Sequence, residues 1–118
     1  MLKELPVSNI YIITGHTDMR KSISGLAGII QQQFKLDLFS DSLFLFCGRR
    51  KNCIKALLWE DDGFVLIYKR LEDGRFNWPR NEKEVRNLTH DQFIWLMQGL
   101  SIDQPKAIKK IEGGVDVC

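Results

Sequence analysis

Three groups of residues in this chain have types and spacings that can do chemistry, and all three are basic. The stretch Gly48-Arg49-Arg50-Lys51-Asn52 carries three adjacent cations with no acid beside them. Arginine presents a planar fork of donors that matches phosphate oxygens, so such a tip suits a polyanion. A solubilising turn has the same composition. The second group is Lys55 and Arg70, which a strand pattern sets on one sheet face with Trp59, Tyr68 and Asn77. Cations interleaved with rings are what a nucleic-acid platform uses, with phosphates on the cations and bases or sugars on the rings. The competing reading is that the two rings pack under a terminal segment while the cations reach past its edge. The third group, Gly15-His16-Thr17-Asp18-Met19-Arg20-Lys21, lies where a strand hands over to a helix. There Arg20 and Lys21 oppose the helix dipole and gain from a bound anion. Alternatively, Asp18 caps the helix and neutralises Arg20.

Catalytic and metal-binding arrangements are poorly represented. His16-x-Asp18 offers two residues where zinc needs three or four ligands. His90 stands apart, and Cys47 and Cys53 lack the close spacing of a zinc pair. Glu60-Asp61-Asp62 is split by strand alternation and a turn. No phosphate-binding loop, dinucleotide fingerprint or nucleophile elbow occurs. The residues therefore predict a non-catalytic protein with no cofactor and no metal.

The elements that position these groups can be read from periodicity. The chain has 118 residues and a net charge of +2, which suits one domain whose charge is unevenly spread rather than a polycation. Asn9–Ile13 reads as a strand. Met19, Ile23, Leu26, Ala27, Ile30 and Phe34 form one helical stripe, with Thr17 or Asp18 as its cap. Residues 43–79 read as four strands and three turns, with Asp62-Gly63 and Asp73-Gly74 as two-residue hairpin loops. That register sets Trp59 against Leu66, Lys55 against Arg70, Arg70 against Asn77 and Lys69 against Trp78. The five-residue turn 48–52 sets Cys47 near Cys53 and Leu45 near Lys55.

One face then carries Phe44, Phe46, Ile54, Ala56, Leu58, Ile67, Leu71, Phe76 and Trp78, and packs on the first helix. Thr89-x-x-Gln92 opens a second helix with Phe93, Leu96, Met97 and Leu100 inward. The expected fold is α+β: a single domain, 1–118, with a mostly antiparallel four- to five-stranded sheet against two helices and a loose tail at 105–118. The three cysteines, an odd number, and the lack of a long apolar run predict a cytoplasmic protein with reduced thiols.

The blocks GHTDMRKSISGL (15–26), LFLFCGRRKNCIKALLWEDDGF (43–64) and YKRLEDGRFNWP (68–79) resemble the TnpB-type, second-reading-frame accessory proteins of the insertion sequence 66 family of bacterial mobile elements. The likeness runs in order from about residue 5 to 110, and the tail 112–118 departs from it. It implies a role in transposition beside a separate transposase that holds the cutting chemistry, and it brings no catalytic set with it. The positions it carries over are His16, Asp18, Arg20, Lys21, Arg49, Arg50, Lys55, Trp59, Lys69, Arg70, Trp78 and Pro79.

Together, the two lines of reasoning predict a transposition accessory protein that contacts nucleic-acid backbone, element-end DNA first. The contact residues are Arg20, Lys21, Arg49, Arg50, Lys51, Lys55 and Arg70, with Trp59 and Tyr68. The alternative is an adaptor whose aromatic sheet face binds the transposase or a second copy of itself.

Overall fold

The computed structural model describes residues 2–104, so the predicted tail at 105–118 lies outside the described residues. Five strands form one sheet: β1 (Asn9–Ile13), β2 (Ser42–Cys47), β3 (Cys53–Glu60), β4 (Gly63–Arg70) and β5 (Val85–Leu88), in the order β4-β3-β2-β1-β5. β1 and β2 are parallel, and every other pairing is antiparallel. The β1–β2 crossover carries the first helix, α1 (Ile23–Gly28), which widens into a π-type turn over Ile29–Gln33. The second helix, α2 (His90–Met97), follows β5.

The sheet is covered on both sides. Ile23, Leu26 and Ala27 of α1, with Met19 before it and Ile30 and Phe34 of the π-type turn after it, pack against Ile13, Phe44, Phe46, Leu57 and Leu66. On the other side Phe93 and Leu96 of α2, with Leu2, Phe76, Trp78 and Ile102, cover Ile10, Ile12, Leu43, Leu45, Cys47, Ile54 and Ala56. All of β2 is consequently buried, as expected of a strand next to a parallel neighbour.

Three expected registers are corrected. The turn after β2 is one residue shorter than expected: Gly48 N–H donates to the Cys53 carbonyl at 3.0 Å, leaving Arg49–Asn52 as the loop. Lys51 takes the left-handed backbone conformation there, at φ 63°. Cys47 therefore pairs with Ile54 and Leu45 with Ala56, and a one-residue slip exchanges faces. Phe44 and Phe46 join α1, while Ile54 and Ala56 face α2.

The β3–β4 loop is Asp61-Asp62, not Asp62-Gly63. Asp61 adopts φ 42°, which aspartate tolerates, and Gly63 pairs with Glu60. Trp59 thus faces Phe64, and Lys55 faces Tyr68 rather than Arg70, which faces Cys53. This shift is even, so Lys55, Trp59, Tyr68 and Arg70 keep a common face.

Finally, Asp73-Gly74 closes a local turn and no hairpin. Residues 71–84 form a strap without regular structure, and Arg70 and Lys69 do not meet Asn77 and Trp78. The sheet is completed instead by β5, whose short VRNL run gave no strand signal.

The strap is fastened along its length. Leu71 N–H donates to Asn52 (2.8 Å), Phe76 N–H to Lys51 (2.7 Å) and Gly15 N–H to Pro79 (2.9 Å). The Thr14 hydroxyl donates to Glu82 (2.7 Å), and the buried Trp78 indole donates to the Ile13 carbonyl at 2.9 Å. α2 begins with the expected capping box: Gln92 N–H to the Thr89 hydroxyl at 3.1 Å and Thr89 N–H to the Gln92 amide at 2.9 Å. Leu100 is exposed rather than inward.

The Trp78→Phe variant removes one buried donor and some packing. It is expected to lose about 1–3 kcal/mol, read as a lower urea midpoint with an unchanged slope.

Candidate nucleic-acid interface

Strand direction decides where the basic groups meet. β1, β2 and β4 finish, and β3 and β5 begin, at the same end of the sheet. That end gathers the loop 14–21, the turn 49–52 and both ends of the strap. The opposite end carries Glu60, Asp61 and Asp62 in the β3–β4 loop and Asp41 before β2. The first end also holds Asp18, Glu72, Asp73, Glu82 and Glu84, so its cations stand in an excess over acids rather than alone, while the hairpin tip at the opposite end is acidic.

The loop 14–21 is not part of α1. The helix begins four residues beyond Met19, after Ser22, which makes no side-chain capping bond. The expected cap at Thr17 or Asp18 is therefore corrected, and Arg20 and Lys21 do not stand on a helix N-terminus. Asp18 instead closes a local turn. Its carboxylate accepts from the Arg20 backbone N–H at 2.9 Å and from the Arg20 guanidinium at 2.8–3.1 Å. These bonds hold the Asp18 carboxyl well below the usual carboxylate range. A depressed carboxyl keeps its pair above its unfolded pKa and loses it only as pH falls through the folded value, so the turn is fully formed at neutral pH.

Two contacts seat this loop on the cationic turn. Thr17 N–H donates to the Cys47 carbonyl at 2.8 Å. Gly48 lies so close to Met19 that a Cβ would come within 2.8 Å of Met19 Cγ. Between them opens a shallow cleft of about 520 Å3, rimmed by His16, Asp18, Arg20, Lys21, Arg49 and Lys83. The Arg49 guanidinium meets His16 Nε2 at 3.4 Å; a guanidinium only donates, so Nε2 is the acceptor in this contact. Arg80 donates to the Arg49 carbonyl, and Lys55 Nζ donates to the Lys21 carbonyl at 2.7 Å. At the floor, Thr17 is 3% exposed and its hydroxyl has no hydrogen-bond partner.

The structure thus joins Arg49, Lys21 and Arg20, with Lys55 behind them. Among the described residues Arg49, Arg50, Lys51 and Lys21 have no carboxylate within ion-pair distance, whereas Arg20 is paired with Asp18 and Arg70 with Glu72 at 3.6 Å. Arg50 and Lys51 belong to the same turn without lining the cleft. Arg70 stands on β4, at the sheet's outer edge. Tyr68 is 53% exposed, with its hydroxyl 3.1 Å from Cys53 Sγ and its ring 5.9 Å from Lys55 Nζ.

Trp59 is separated from the cations. It packs on Phe39 and Phe64 at 4.9 and 5.0 Å, four residues and roughly 13 Å along the strand from Lys55. A continuous platform of alternating rings and cations does not form. Arg80 and Lys83 carry no signal of their own in the sequence because they lie just past the stretch 43–79 whose pattern suggests strands and turns, on the irregular strap. The only pointer to them was the run of motif residues ending at Pro79.

Among the described residues no three His, Cys, Asp or Glu side chains gather. Burial pushes the Cys47 thiol up to about 12, so it stays protonated. Cys53 faces the opposite side of the sheet, and the expected Cys47–Cys53 pairing does not occur. No helix among the described residues is long and apolar enough to cross a membrane.

This is a small α+β fold with a basic cleft, and sequence comparison names its kin. A family profile described as "IS66 Orf2 like protein" matches residues 8–107, and the chain belongs to that family. It is 35% identical over 97 residues to the uncharacterized protein y4hO of Sinorhizobium fredii (strain NBRC 101917 / NGR234), covering 82% of this chain and 84% of the relative. It is 25% identical over 91 residues to the uncharacterized protein y4jC of the same strain, covering 77% and 78%. No solved structure matches at a significant level. Membership implies an accessory role associated with transposition.

A buried hydroxyl without a partner costs stability. Thr17→Val, nearly equal in volume, is therefore expected to leave the melting temperature unchanged or raise stability by up to about 1 kcal/mol. A drop in thermal denaturation would show that the hydroxyl is bonded in solution.

Proposed function

We propose that this protein is a non-catalytic transposition factor that grips nucleic-acid backbone, element-end DNA in the first instance, through the basic end of its sheet. Cutting and joining belong to the transposase of the same element. The observation that carries this reading is the convergence of Arg49, Lys21 and Lys83 on one cleft with no carboxylate on those three side chains among the described residues. Arg80, Arg50 and Lys51 extend the positive surface around it.

The opposing charges differ in kind. Asp18 is spent on Arg20 and stiffens the loop, so the cleft keeps its shape while the neighbouring cations stay available. A phosphate entering it meets a guanidinium fork from Arg49 and two point charges from the lysines. Binding of this type follows the backbone and releases counterions, so it weakens steeply with salt. The acidic far end repels the same polyanion and orients the approach.

Fluorescence anisotropy with labelled element-end duplex at two salt concentrations tests the reading. Wild type is expected to bind at low salt. The Lys21→Ala/Arg49→Ala/Lys83→Ala variant should lose at least tenfold in affinity, and the slope of log K against log salt should fall by about 0.9 per lost contact. Absence of low-salt binding, or an unchanged slope in the variant, overturns it.

A further inference from the structure

The two ends of the sheet order are unlike. β5 spans four residues, Val85–Leu88, and carries Arg86, which is paired with Asp103 at 3.1 Å. β4 is twice as long, Gly63–Arg70, and among the described residues only β3 pairs with its backbone. Its middle, Phe64-Val65-Leu66-Ile67, is apolar and half-exposed. A long apolar edge with an open row of N–H and C=O groups is a template for another strand.

We propose that this edge pairs with the β4 edge of a second copy, antiparallel about a two-fold axis at Leu66, extending the sheet from one protomer into the next. Three features of the strand select both the partner and the register.

Backbone parity comes first. Glu60 and Gly63 flank a two-residue loop and form a hydrogen-bonded pair. Pairs alternate along an antiparallel ladder, so Phe64, Leu66, Tyr68 and Arg70 turn their backbone groups outward. A two-fold at Leu66 sets outward groups against outward groups.

Charge comes second. The strand is acidic where it begins, at Asp61 and Asp62, and basic where it ends, at Lys69 and Arg70. Antiparallel pairing with its own copy puts Asp62 opposite the partner's Arg70, twice by symmetry. The exposed Arg70–Glu72 contact, 3.6 Å long with side chains 61% and 88% accessible, is weak enough to give way.

Aromatic matching comes third. Tyr68 is among the exposed large apolar side chains, and this register lays it across from the partner's Phe64 on the α1 side of the sheet. Cross-strand aromatic and opposite-charge pairs are favourable contacts of a sheet. The adjacent two-fold registers of the same parity lose this match: one sets Tyr68 against Asp62, the other sets Arg70 against Phe64. The inference stands apart from the nucleic-acid reading, because the cleft lies on other loops.

Sedimentation equilibrium of the full chain over a concentration series, with far-UV circular dichroism to confirm folding, tests it. Wild type is expected to dimerise. Arg70→Asp and Asp62→Arg should each weaken the dimer at least about tenfold through two symmetric like-charge contacts. The double variant Asp62→Arg/Arg70→Asp should restore it. Tyr68→Pro, which removes an outward N–H at an edge position where proline is tolerated, should give a folded monomer. A wild type that stays monomeric, or whose edge is filled only when a different chain is added, overturns the proposal. So does a dimer indifferent to both single reversals, or a double variant that fails to recover.

Discussion

Residues Ser42 to Cys47 are shut away from water on both sides of the sheet, so two separate covers have to close over β2. α1 supplies one and α2 with the strap supplies the other. Most other features follow from that requirement. The parallel step from β1 to β2 needs a crossover, and the crossover is where α1 lies. Covering the second face takes Phe76, Trp78, Phe93 and Leu96, which forces the chain after β4 to leave the sheet edge and return across it. The strap lacks strand geometry because its task is to bring two large rings into that cover while crossing to the far side of the sheet.

The elements were largely legible in the sequence, whereas their registers were not. The β1 run and the capping box at Thr89 stand as their patterns suggest, because each is a local signal, and the stripe from Met19 to Phe34 keeps its face although the helix starts only at Ile23. The α+β class with a mostly antiparallel sheet and two helices follows from those elements together. The three registers depended on turn chemistry, where neighbouring residues compete for the same conformation. Asp61 can take the positive φ that glycine usually provides, so Gly63 was free to enter the strand. Lys51 did the same in the basic turn and shortened it. A slip of one position there moved Phe44 and Phe46 from one cover to the other, while the even slip between β3 and β4 left the faces intact.

The candidate interface divides along the same line. Arg49, Lys21 and Arg20 were visible as charges within recognisable blocks, and strand direction brings them together. Lys83 and Arg80 reach the site only through tertiary hydrogen bonds of the strap, which no local pattern encodes. Trp59 left the group because the aromatic side chains Phe39 and Phe64 hold it at the acidic end. What remains is a cluster of cations rather than a stacking surface, a composition suited to phosphate oxygens more than to base edges.

The strap also has a bearing on biosynthesis. Its anchors at Ile13, Thr14 and Gly15 are made some 65 residues before its own tryptophan and basic side chains. A ribosome extends the chain at roughly 5–20 residues per second, so the early strands wait several seconds for the segment that completes the cleft. A chain interrupted before the strap thus lacks the geometry that gathers these cations into one cleft.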